Sequence, residues 1–93
     1  MEKGMSREAA LFNAQSVWGW ATMFGHGSII ELTSFSCCVS MAVHFPYDKF
    51  DKVREDQKYR SVVMAGAKIE WTNRPDLQIW NLHIEWDFET TSP

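Results

Sequence analysis

The stretch from Ile79 to Phe88 constrains this chain more than any other, because its side chains alternate strictly in character. On an extended strand Trp80, Leu82, Ile84, Trp86 and Phe88 fall on one face, and Ile79, Asn81, His83, Glu85 and Asp87 fall on the other. Such an element buries its apolar face against the rest of the domain and leaves the other to water. We read it as the second arm of a β-hairpin running from Tyr59 to Phe88. Asn73-Arg74-Pro75-Asp76 supplies the turn, with the proline ring presetting φ. That turn pairs Thr72 with Leu77, and then sets Ala67 opposite Leu82, Ala65 opposite Ile84 and Val63 opposite Trp86. On the other face it sets Lys68 opposite Asn81, Gly66 opposite His83 and Met64 opposite Glu85.

Upstream, Ser6 is a candidate N-cap, followed by apolar residues at Ala10, Leu11, Ala14, Val17, Trp18, Ala21 and Phe24. Steps of three and four predict an amphipathic helix over about residues 7–24, ended by Gly25-His26-Gly27. Two β segments follow, one over 28–33 and one in which Phe35, Cys37, Val39, Met41, Val43 and Phe45 share a face. Parity is lost near Thr33-Ser34, which implies either a bulge in one bent strand or a tight reversal between two. Pro46 stops this region, and the charge-dense stretch 48–60 reads as a solvated helix or loop that Phe50 and Val53 pin to the domain.

The expected fold is therefore α+β: an N-terminal helix packed on a three- to four-stranded antiparallel sheet that ends in a long β-hairpin. Residues 1–93 form one domain in this reading, with 1–5 and 89–93 frayed. Hydrophobic residues make up 45% of the chain, which excludes a disordered protein and supplies a core without disulfides. A net charge of −3 offers no footprint for a polyanion or an acidic membrane surface, so nucleic acid is an unlikely partner. No signal peptide or membrane-spanning run is visible, and the expected compartment is the cytoplasm.

The residues that carry chemistry are sparse. Cys37 and Cys38 are adjacent and lack the spacing of a zinc pair, while Cys38 and His44 on one strand stand roughly 20 Å apart, at about 3.3 Å per residue. A Cys38–His83 or Cys38–His26 nucleophilic pair has no local signature. Gly25-His26-Gly27 follows a helix, whereas a phosphate-binding loop precedes one. We therefore expect no catalytic residue, no metal site and no cofactor.

Aromatics are in surplus. Phe12, Trp20 and Met23 fall off the main apolar stripe of the helix, and Trp71 lies at the hairpin mouth. These four are the candidate binding residues, since exposed apolar side chains on a soluble domain mark interfaces; the alternative is a helix buried over a wider arc. The expected function is stoichiometric contact with another protein or a second copy of the chain. Small inhibitors and adaptors, including those that phages carry against host defence systems, share this size and this lack of motifs. The competing expectation is a sponge or sensor that stacks a nucleotide or other small ligand on tryptophan.

Overall fold

The computed structural model describes residues 5–24 and 30–88, with only the backbone of Ile30. Helix α1 spans Arg7–Ala21, and Ser6 caps it: its hydroxyl accepts from the Ala9 N–H at 3.1 Å. The helix stops three residues before the expected end. Met23 and Phe24 donate to the carbonyls of Trp20 and Ala21, closing the last turn with shorter loops. The Gly25-His26-Gly27 terminator lies outside the described residues.

Four strands, β1 (Ile30–Ser34), β2 (Cys38–Pro46), β3 (Lys68–Arg74) and β4 (Ile79–Asp87), form one antiparallel sheet in the order β1-β2-β4-β3. The break of parity at Thr33-Ser34 is a tight reversal between two strands. Phe35 N–H donates to the Cys38 carbonyl at 2.8 Å and closes it. Phe35 and Cys37 thus belong to the turn rather than to β2, and both are exposed.

The charged stretch after Pro46 is helical on both sides of Asp56. A short 3-10 turn over Tyr47–Lys49 leads into α2 (Phe50–Glu55), and α3 (Gln57–Met64) follows. Asp56 separates the two helices with an extended ψ of 143° and caps α3, accepting from the Lys58 N–H at 2.8 Å. Gly66 ends that helix region at φ 94°, a conformation glycine adopts without steric cost.

The first arm of the hairpin is therefore shorter than the sequence predicts. Residues 59–64, expected as strand, lie in α3, so Val63, Met64, Ala65 and Gly66 have no partners in β4. The turn falls at Pro75–Gln78, with Leu77 N–H donating to Arg74 O and Gln78 at φ 57°. Thr72 pairs with Asn81 instead of Leu77, and Lys68 pairs with Glu85 instead of Asn81. The register moves by four residues (81 − 77 and 85 − 81), an even number, so every β4 side chain keeps its expected face.

All three helices cover one face of the sheet. Val39, Met41, Val43 and Phe45 of β2 and Leu82, Ile84 and Trp86 of β4 pack there against Ala10, Ala14, Val17 and Ala21 of α1, with Val53 and Val62 from α2 and α3. The opposite face carries Ser40, Ala42 and His44 beside Asn81, His83 and Glu85, all half-buried and open to water. Among the described residues no helix is long and apolar enough to cross a membrane.

Candidate functional site

Helix α1 approaches the sheet on small side chains. Ala10, Ala14, Val17 and Ala21 recur at steps of four, three and four, and all are fully buried. Small residues let the helix axis settle close to the sheet, where Met41 and Phe45 of β2 and Trp86 of β4 supply the bulk. The large side chains of the helix are consequently displaced to its flanks and its outer side.

Trp20 occupies the flank that faces α2 and α3. Its indole N–H donates to Asp56 Oδ1 at 3.1 Å, the same oxygen that caps α3, so one carboxylate joins two helices. The Trp20 ring packs edge-on against Phe24 and Phe45, with centroids 5.2 and 6.1 Å away. Phe45 continues the contact to Trp71, which meets Phe50 at 5.0 Å and donates its indole N–H to Tyr59 Oη at 2.9 Å. Phe50 in turn stacks on Trp80 at 4.3 Å. This aromatic half of the core holds both Trp20 and Trp71.

The four candidate binding residues therefore divide. Trp20 and Trp71 are half-buried members of the core, which corrects the placement of Trp20 off the apolar stripe: the stripe is wide on this side because α2 and α3 lie against it. Phe12 and Met23 stand free, 71% and 80% exposed. Between them Gly19 leaves the outer surface flat, with nothing within 4 Å of where a Cβ would stand. Trp18, which the periodicity assigns to the core, is 41% exposed instead, one step of about 100° away from Val17 around the helix. Phe12 and Met23, with Gly19 between them, thus lie on the outer side of α1 and the turn that follows, while Trp18 stands on the flank opposite Trp20. Small residues at the buried positions were the signal for this placement, because alanines in the stripe mean that bulkier residues lie elsewhere on the helix.

The open sheet face holds the polar chemistry. Ser40 Oγ and His83 Nε2 share a hydrogen bond of 2.7 Å, and Glu70 is the register partner of His83 on its other side. The dyad lies in the middle of a ladder, where the backbone amides of β2 and β4 are committed to each other and offer no oxyanion donors. Its plain role is to satisfy two polar groups across neighbouring strands. At the end of the same face, Cys38 lies opposite Asp87, with Glu85 next along β4. Lys68 bridges the two carboxylates, with its Nζ 2.9 Å from Asp87 and 3.9 Å from Glu85. The hydrogen bond from Lys68 holds the Asp87 carboxyl below its usual range, and the same contact raises Lys68. Burial pushes the Cys38 thiol up, with the Glu85 charge adding to the effect.

No protein family, curated protein or solved structure matches this chain.

Proposed function

We propose that this protein is a non-enzymatic binding protein that acts by stoichiometric contact with another protein chain, through the outer side of α1. The observation that carries this reading is the exposure of Phe12 on α1 and of Met23 in the turn after it, both on one side of the helix with the flat position of Gly19 between them. A large apolar side chain held in water gains on association about 25 cal/mol per Å² of apolar area covered, and neither residue contributes to the core of its own domain. A helix face of this kind suits a groove on a partner or the same face of a second copy. Inhibitors and adaptors work by such occlusion and need no catalytic group.

Sedimentation velocity over a concentration series tests the self-association arm, with binding to candidate partners measured by calorimetry. The wild type is expected to associate, and the Phe12→Glu/Met23→Glu double variant to run as a monomer that binds no partner. A double variant that assembles as the wild type does would refute the assignment of this surface.

A further inference from the structure

The geometry points to a binding site for a borderline-soft divalent cation of the Zn²⁺ type, built from the thiol of Cys38 and the carboxylates of Glu85 and Asp87. It is independent of the α1 surface, on the opposite side of the sheet. The Cys38 Sγ and one carboxylate oxygen from each acid lie within 4.8 Å of one another. Donors around a tetrahedral zinc sit roughly 3.3–3.8 Å apart, given a Zn–S length near 2.3 Å and Zn–O near 2.0–2.2 Å. Rotamer adjustment of exposed Asp87 and half-buried Glu85 would close the difference.

Two features distinguish this cluster from acidic residues scattered on a surface. Cys38 is only 8% exposed, so its thiol is a donor held by packing, with a carboxylate oxygen of each acid within 4.8 Å of its Sγ. The placement is also fixed by the ladder: Cys38 and Asp87 are direct register partners, Ser40 and Glu85 are the next pair, and strands hold such partners rigidly. A thiolate in the set selects Zn²⁺, Cd²⁺ or Co²⁺ over Mg²⁺ and Ca²⁺, which prefer oxygen donors alone. Two carboxylates and a thiolate leave a fourth position open to solvent on the uncovered face.

Lys68 competes for the same oxygens. Its side chain is 68% exposed, so it can swing away when a dication arrives, and an exposed ion pair of this kind opposes the exchange only weakly. Cys37, exposed in the β1–β2 reversal, is not one of the three donors.

The test is titration of the full chain with Co²⁺ under reducing conditions, reading the sulfur-to-cobalt charge-transfer band in the near ultraviolet. One equivalent is expected to bind, with the band displaced by Zn²⁺. Cys37→Ala should keep the band and Cys38→Ala should lose it. Asp87→Asn, an exposed change that leaves the fold intact, should weaken Co²⁺ binding at least tenfold, and Lys68→Met should tighten it severalfold by removing the competing cation. A wild type without the band overturns the site. So does a band that survives in Cys38→Ala, or Asp87→Asn binding Co²⁺ as tightly as the wild type.

Discussion

Strand β4 and helix α1 both divide their side chains between core and solvent, yet they do so in opposite ways. In β4 the buried positions are the large ones, Leu82, Ile84 and Trp86, and the outward positions from Asn81 to Asp87 are polar. In α1 the buried positions are small, three alanines and a valine, and large apolar residues are pushed to the flanks or into water. The difference is one of fit. A sheet face filled by bulky side chains leaves the helix above it room only for small ones at the line of closest contact. Bulk on the helix then has two destinations: sideways into the aromatic core, as for Trp20, or outward, as for Phe12. Stability therefore rests on β4 and the inner side of α1, while the outer side of α1 contributes little to it.

The contrast makes opposite forecasts for changes of volume. Trp86→Ala removes the largest fully buried side chain and should cost about 3–5 kcal/mol, the largest effect here, measured as a drop in the urea midpoint at unchanged m-value. A midpoint equal to that of the wild type would remove Trp86 from the core. On the helix the damaging direction is enlargement. Ala14→Leu should cost about 1–3 kcal/mol by wedging α1 away from β2, although leucine is nearly as good a helix former as alanine. A neutral or stabilising result would show that the helix does not sit close.

Asp56→Ala tests how the aromatic flank is tied to the rest. It removes the cap of α3 and the acceptor of the Trp20 indole together, and should cost about 1–2 kcal/mol. Phe12→Ala, by contrast, should leave the midpoint within about 0.5 kcal/mol. The smallest effect belongs to the exposed Lys68–Asp87 pair. Asp87 is lowered by its partner, so its contribution is present above the usual carboxylate range and is lost as pH falls through the lowered value. Lys68 is raised, so its contribution persists below the usual lysine value and is lost as pH rises through the raised one. Lys68→Met should flatten both limbs of the stability–pH curve slightly, and added salt should shrink the difference.

How much of this was legible in the residues follows from the two periods. Strand alternation is exact at two, so β4's faces could be read directly, and a turn misplaced from Pro75–Gln78 to 73–76 shifted the pairing by an even number without exchanging the faces. Helical positions advance by about 100° per residue, so Trp18 and Trp20 sit on either side of the stripe and only a neighbouring element decides which is buried. That element, the α2–α3 junction, was legible only as a helix or a loop, and the second half of α3 as a strand. Apolar residues at Val62, Val63, Ala65 and Ala67 suit a strand as well as a helix end, and the decisive marks were the Asp56 cap and the stop at Gly66. Reading them as caps would have moved Trp20 into the core. The clustering of Cys38, Glu85 and Asp87 needed the β2–β4 register, which no local spacing encodes.

The division of α1 into a side that holds the fold and an outer side that the fold does not need is tested most directly by thermal unfolding of two matched variants, Trp20→Glu and Phe12→Glu. Both place the same charge on the same helix, eight residues apart. Trp20→Glu should lower the midpoint by about 12–24 °C, corresponding to a loss near 3 kcal/mol at roughly 4–8 °C per kcal/mol for a domain of this size. Phe12→Glu should melt within a few degrees of the wild type. Equal shifts in the two variants, or a larger loss in Phe12→Glu, would contradict the division.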